Sequence, residues 1–312
     1  MTTHTHQTAP TQFVEANGVR FAYRRFGKTG SVPLVFNQHF TGTMDHWDPA
    51  VTDGFARERE VILFNNAGVS SSSGEVPTSV EQMGRNAIAF IKALGLQQVD
   101  VLGFSIGGFV AQEIALAEAK LVRRLILLGT GPRSGEGMAG GTPEGNQIFA
   151  ATYEEPDHLW LRVFFTPSQA SQAAGRVFLQ RFRLRTKDRD PEVNEKVAPA
   201  QRAAIAKWAA PRDRPYGYLK AIQQPTLVVN GSNDVIIYTV NSFILQQNLP
   251  NAQLIIYPDS AHGSHHQYSA LFVRHVSMFL SGAEGREHLT FENGRRFATS
   301  RNREHDRAQP HR

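Results

Sequence analysis

The stretch VDVLGFSIGGFVAQEIAL, Val99 to Leu116, constrains the fold more than any other part of this chain. An apolar run of strand length ends at a serine flanked, two positions to either side, by glycine, and an apolar, proline-free helix pattern starts at once. A strand that passes through one tight turn into a buried helix opens a crossover, and crossovers belong to parallel sheets with helices on both faces. The same residues fit G-x-S-x-G. A serine on that turn projects its hydroxyl above the sheet on a strained backbone, so its neighbours must be small, and Gly103 and Gly107 meet that need. The helix that follows Ser105 offers unpaired N–H groups and the positive end of a dipole, both suited to a developing oxyanion. The plainer reading is a serine in a glycine-rich turn with no chemistry.

The surroundings support an α/β fold. Strand-like runs recur at VRFAYRRFG, PLVFNQHF, EVILFNNAG, LVRRLILLGT, PTLVVNGSND and AQLIIYPDSAHG. Between them, SVEQMGRNAIAFIKALGL sets Val80, Met83, Ala87, Ile88, Ile91 and Leu94 at helical spacing before a glycine stop at Gly95. The alternation breaks between about Pro132 and Pro215, where a Gly-rich opening leads into helix-like pieces at Leu159 to Phe165, Ser168 to Arg185 and Val197 to Trp208, with no strand. Such a stretch is too long for a plain connection, so it reads as a helical lid over one end of the sheet. The expected organisation is a flexible N-terminal segment (1–12), a core made of 13–131 and 216–282, a helical lid (132–215) and a basic, disordered tail (283–312).

The composition excludes several function classes. With no cysteine there is no disulfide, thiolate metal site or cysteine nucleophile. No apolar run reaches membrane-spanning length and the first residues lack a secretion-signal pattern, so a cytoplasmic protein without membrane contact is expected. The net charge of +5 lies partly in the last 28 residues, where seven arginines are interrupted by Glu287, Glu292, Glu304 and Asp306; a solvated tail is expected there, not a nucleic-acid arm. The His4–His6 and His262–His266 groups lack partner carboxylates, so no metal site is expected.

A serine nucleophile needs a base and a carboxylate that fixes the tautomer of that base. Two later strands end in polar loops, one carrying Asp234 and the next His262, about one helix plus one strand further on. A parallel sheet brings both loops to one edge. Asp259, His265 and His266 are the nearby competitors, the two histidines reading as the start of the following helix.

The elbow GFSIGG, the NGSND and PDSAHG loops and NAGVSSS after the third strand together resemble the α/β-hydrolase superfamily over about residues 14 to 282. The resemblance implies Ser105, Asp234 and His262 as catalytic residues and no cofactor. It also implies an oxyanion hole in the loop after PLVFN, where relatives often carry His-Gly-X. Here Gln38 and His39 stand at the first two positions and Phe40 at the third, so the backbone N–H groups of Phe40 and Ile106 are the candidates. His39 departs from the glycine and is a pocket candidate, or a structural histidine bonded to a loop carbonyl. Trp160, Phe164 and Phe165 are further pocket candidates, with lid core as their plainer role. Asn65 replaces a frequent acid and needs only a loop-holding role.

The implied reaction is hydrolysis of a small apolar carboxylic ester or lactone through an acyl-enzyme on Ser105. A carbon–carbon bond hydrolase, a cofactor-free perhydrolase and a non-catalytic receptor of this fold are the alternatives, and assembly into a homo-oligomer is left open. The serine argues against dehalogenases and epoxide hydrolases of the superfamily, which use aspartate on the elbow.

Overall fold

The computed structural model describes residues 4–282. Along the chain β1 (Gln12–Ala16) and β2 (Val19–Gly27) form a hairpin, followed by β3 (Leu34–Asn37), α1 (Pro49–Ala56), β4 (Glu60–Phe64), α2 (Val80–Ala93), β5 (Val99–Phe104), α3 (Ile106–Ala117) and β6 (Val122–Leu128). Four helices come next, α4 (Pro143–Ala150), α5 (Pro156–Phe164), α6 (Gln169–Phe182) and α7 (Val197–Ala209). The chain then returns to the sheet with β7 (Thr226–Gly231), α8 (Val240–Asn248), β8 (Ala252–Tyr257), α9 (Ser264–Gln267) and α10 (Ser269–Ser281). The eight strands make one sheet in the order β1-β2-β4-β3-β5-β6-β7-β8. Pairings at the β1 and β2 end are antiparallel, and every pairing from β4 to β8 is parallel.

Strand side chains alternate between two apolar layers, as a period of two requires. On β4, Val61 and Leu63 enter the layer shared with α1 and α10, while Ile62 and Phe64 enter the layer shared with α2 and α3. On β6, Ile126 and Leu128 join the first layer, Leu125 and Leu127 the second. Both faces being covered, the central strands are mostly apolar, with polar residues such as Asn37, Asp100, Thr226 and Asn230 toward their ends, and each fully buried aliphatic contributes about 1.5–3 kcal/mol. The helix expected around Val80 to Leu94 is present: Ser79 caps it by accepting from Gln82 N, and Gly95 leaves it with φ of 74°.

Three differences from the sequence reading have local causes. β1 was not anticipated, yet Asn17 and Gly18 turn the chain with φ of 51° and 76°, the two positive values a two-residue hairpin needs. α4 forms inside the Gly-rich stretch because Thr142 caps Gly145 N at 2.9 Å and Pro143 opens the helix. The flexible segment expected over residues 1–12 does not describe residues 4–12. There Ala9 and His6 are buried, His6 N donates to Asp53 at 2.7 Å, and Arg185 Nη1 donates to His6 O at 2.9 Å. The tail expected over 283–312 lies outside the described residues. Among those described, no helix is long and apolar enough to cross a membrane.

The N-terminal packing is organised by Arg24, a β2 side chain fully shielded from solvent. It donates to Asp45, to Thr11 Oγ1 at 3.1 Å and to Asp188 O at 2.8 Å, and Asp45 Oδ2 accepts from Asp190 N at 2.6 Å. One guanidinium thus ties together the N-terminal segment, the loop after β3 and the 188–190 segment between α6 and α7. Removing Arg24 leaves the buried Asp45 carboxylate to the longer contact with Arg185 Nε, 3.6 Å away, and takes the guanidinium from beside Asp190. Arg24→Ala is therefore expected to lower the unfolding free energy by about 3–5 kcal/mol, read from urea denaturation curves of the two proteins.

Candidate active site

β5 carries the chain to Ser105, which adopts φ 57° and ψ −122° before α3 begins at Ile106. That conformation is held by backbone bonds from Ser105 N to Leu128 O (3.0 Å) and from Gly108 N to Ser105 O (2.9 Å), and by Thr130 Oγ1 donating to Ser105 O at 2.8 Å. The flanking glycines are required by contact. A Cβ on Gly103 would stand 2.2 Å from Gly107 O, and one on Gly107 would stand 2.1 Å from Asn37 O. The elbow is thereby pressed against the end of β3, where the Gln38–Phe40 loop starts.

That loop is fixed by its own side chains. Gln38 Nε2 donates to Thr43 O (2.8 Å) and Gln38 Oε1 accepts from His39 N (2.8 Å). Thr41 N donates to Gln201 on α7 (2.6 Å) and Gly42 N to His39 O (3.0 Å). Among the described residues the Phe40 N–H is left without an acceptor between these satisfied neighbours. Ile106, the first residue of α3, occupies a position whose N–H has no partner within its helix. Asn65 has the loop-holding role expected of it: its Oδ1 accepts from Met44 N at 2.9 Å, while its Nδ2 reaches Asp190 at 2.8 Å.

Asp234 and His262 meet as the topology predicts, with His262 Nδ1 and Asp234 Oδ2 2.8 Å apart and both residues buried. The other carboxylate oxygen accepts from Ile236 N and Ile237 N, at 2.9 and 3.0 Å, so Asp234 serves its turn and the histidine together. The two loops interlock because Gly231 has no side chain; a Cβ there would lie 2.2 Å from Ser260 O. The His262 ring packs against Phe104, the residue before the elbow serine, with centroids 4.9 Å apart.

Of the competitors, Asp259 is engaged elsewhere, accepting from Thr166 Oγ1 (2.7 Å) and Ser168 Oγ (2.6 Å), while His265 and His266 lie buried in α9 with no carboxylate hydrogen-bonded to either ring among the described residues. The pocket candidates divide. Trp160 and Phe164 on α5 each pack 5.6 Å from His39, and Phe164 also stacks over His262 at 6.3 Å. Phe165 instead packs on Phe178 of α6 and borders a separate groove of about 1060 Å³, shared with Arg162, Asn233, Asp259 and Ala261. His46 has no sequence signal beyond its place in the loop, yet its ring stacks on both His39 (5.7 Å) and Phe182 (5.3 Å). Gln201 was equally invisible to sequence reasoning, since its partner Thr41 is distant in the chain.

The model for the alpha/beta hydrolase fold matches residues 32–267. The chain belongs to the alpha/beta hydrolases. A solved structure, an alpha/beta hydrolase fold protein from Chitinophaga pinensis, superposes with a TM-score of 0.83 at 41% identity, covering 89% of this chain and 99% of that one. The chain is 28% identical to a 2-hydroxymuconate semialdehyde hydrolase of Pseudomonas putida, over 70% of this chain and 74% of that protein. It is 27% identical to a poly(3-hydroxyalkanoate) depolymerase of Ectopseudomonas oleovorans, over 79% and 83% of the two chains. The last two relatives are named for a hydrolase and a depolymerase activity, and this alpha/beta hydrolase is an enzyme with hydrolase activity.

Two outcomes follow from the site's packing. Gly107→Ala drives a Cβ into backbone that cannot swing aside, and is expected to cost about 3 kcal/mol or more, measured as a drop in the urea midpoint and in soluble yield. Burial also depresses the imidazoles around the elbow: His39 to about 3 and His46 to about 4, with His265 and His266 well below the usual histidine range. Folded, they stay neutral; unfolded, they take protons below about pH 6.5. Their contribution to stability is complete above that pH and is lost as pH falls from about 6.5 toward 4 and then 3, by about 1.4 kcal/mol per pH unit for each imidazole. Unfolding free energies measured by urea between pH 7 and 4.5 check the sign: a flat profile contradicts it.

Proposed function

We propose that the protein is a serine hydrolase acting on a small carboxylic ester or lactone, with Ser105, Asp234 and His262 as its catalytic residues. The observation that carries this reading is the 2.8 Å contact of His262 Nδ1 with Asp234 Oδ2 behind a serine held at φ 57° on a strand-to-helix elbow. With Nδ1 committed to the carboxylate, Nε2 takes the Ser105 proton as Oγ attacks the carbonyl carbon. The carbonyl oxygen becomes an oxyanion that the N–H groups of Phe40 and Ile106 stabilise. Collapse of the adduct breaks the bond to the alcohol, which leaves with the proton from His262. Water then gives a proton to His262 as it attacks the acyl carbon, and the adduct collapses to the acid as the bond to Ser105 Oγ breaks and Oγ takes the proton back from His262. Asp234 stays ionised and stabilises the imidazolium.

In this reading the four helices between β6 and β7 act as the lid, with Trp160 and Phe164 giving an apolar roof, and the protein works in the cytoplasm without a cofactor. The likeness to 2-hydroxymuconate semialdehyde hydrolase favours the second reading, hydrolysis of a carbon–carbon bond. That chemistry needs cationic groups for an acidic substrate. Arg181 is committed to Asp48, Arg183 to Asp157 and Arg185 to Asp188, while Arg162 on α5 has no partner among the described residues and borders the groove beside Phe165, so a cation for that reading is present. The ester or lactone reading is preferred because the side chains packed around His39, Trp160 and Phe164 among them, are aromatic and carry no such cation.

The test is hydrolysis of a chain-length series of p-nitrophenyl esters together with fluorophosphonate labelling. Ser105→Ala should abolish labelling and reduce kcat by about 10³-fold or more, with the fold retained by circular dichroism. Labelling without ester turnover in the wild type would transfer the assignment to the carbon–carbon reading. A folded wild type with neither signal would rule out a serine nucleophile.

A further inference from the structure

His39 has a bonding capacity that the acyl-transfer scheme leaves unused. Its Nδ1 lies 2.9 Å from Phe40 O, and because a carbonyl oxygen only accepts, Nδ1 carries the ring proton. Burial, with His46 adding to it, pushes the pKa of this ring down to about 3, so the imidazole is neutral and Nε2 holds a lone pair. That nitrogen is buried and has no hydrogen-bond partner among the described residues. An acceptor shut away from water without a donor is costly, and such atoms in native proteins have a reason.

The place of the ring gives the reason. His39 precedes Phe40, the residue whose N–H is the oxyanion candidate, and its ring packs 5.5 Å from Phe104 and 5.6 Å from both Trp160 and Phe164. It therefore packs between Phe104, the residue before the elbow serine, and the aromatic side chains of α5, on the same loop as the Phe40 N–H. His265 and His266 also carry nitrogens without hydrogen-bond partners among the described residues, but they belong to α9, His265 packing on Trp47 and Phe272 and His266 on Phe178 and Phe164 with Asp48 3.9 Å from its Nδ1, and among the described residues no carbonyl fixes their tautomers. His39 alone of the three joins a fixed tautomer to a position on the Gln38–Phe40 loop.

We propose that His39 Nε2 is a specificity-determining acceptor for an O–H or N–H on the substrate, so that the site selects hydroxyacyl or amide-bearing esters and lactones over plain apolar ones. This rests on the serine-hydrolase reading above. A substrate without the donor fills the same space but leaves Nε2 unsatisfied, and the discrimination appears as a difference in kcat/KM between the two. The side chains packed around the ring, His46, Phe104, Trp160 and Phe164, are aromatic, so the preferred molecule is apolar apart from this one donor.

The experiment compares p-nitrophenyl butyrate with its α-hydroxy and β-hydroxy analogues in wild type, His39→Phe and His39→Gln, using the ratio of kcat/KM within each protein so that a general loss of rate cancels. Wild type should favour one hydroxy analogue by about tenfold, the worth of one neutral hydrogen bond. In His39→Phe the ratio should fall to about one, and in His39→Gln, which keeps an acceptor, part of it should return. Fluorophosphonate labelling of each variant shows that the elbow is intact and that the ratios report folded protein. A wild-type ratio near one for both analogues, or an unchanged ratio in His39→Phe, overturns the assignment of His39 while leaving the serine-hydrolase reading standing. Absence of both labelling and turnover in folded wild type overturns that reading, and the role of His39 with it.

Discussion

The elbow depends on backbone pressed against backbone. Ser105 holds a left-handed φ because Gly103 admits the carbonyl of Gly107, and Gly107 in turn admits the carbonyl of Asn37 at the end of β3. This contact sets where the Gln38–Phe40 loop leaves the sheet, and so where the Phe40 N–H stands relative to the start of α3. The strain of the serine, of order 1–3 kcal/mol for such a backbone, is over-determined by bonds to Leu128 and Thr130 and by the apolar layers on either side. A parallel sheet suits this arrangement, since its strand ends deliver the elbow, Asp234 and His262 to one edge.

Around that edge the polar groups are organised in two different ways. On the β7 and β8 side the bonds are local: Asp234 caps its own turn while binding His262, and Gly231 lets the two loops touch. On the β3 side they are distant. Arg24, Asp45, Asn65 and Asp190 form a buried network that joins the loop after β3 to the 188–190 segment, and Gln201 on α7 holds Thr41. The helical stretch between β6 and β7 is thus structurally part of the loop that bears the oxyanion candidate. Buried charges of this kind need every partner present, which makes the network a stringent condition on the whole assembly.

Legibility followed the range of the interactions. The strands β2 to β8, α2 and the elbow were readable because period, glycine spacing and capping are local signals. Asp234 and His262 were readable one level up, through the alternation of strand and helix. The hairpin turn Asn17-Gly18 carried a readable signal that the sequence reading passed over, and α4 hid behind its glycines. Arg24, His46 and Gln201 carried none: their partners are set by the three-dimensional fold, and an isolated arginine, histidine or glutamine has many equally good fates.

The sequence by itself determined strands β2 to β8, the chain order of Ser105, Asp234 and His262, and the need for Gly103 and Gly107, because each depends on neighbours within one strand-turn-helix unit or on the handed path of a parallel sheet. Tertiary structure alone decided that residues 4–12 are packed, that Phe165 borders the groove beside Arg162 and Asp259 while Phe164 packs on His39, and that His39 Nε2 has no hydrogen-bond partner among the described residues. The physical reason is common to all three. Burial and hydrogen-bond satisfaction are properties of a completed neighbourhood, and here that neighbourhood is assembled from β2, the loop after β3, α5 and the 185–190 segment, which are remote in the chain and meet only when the fold closes.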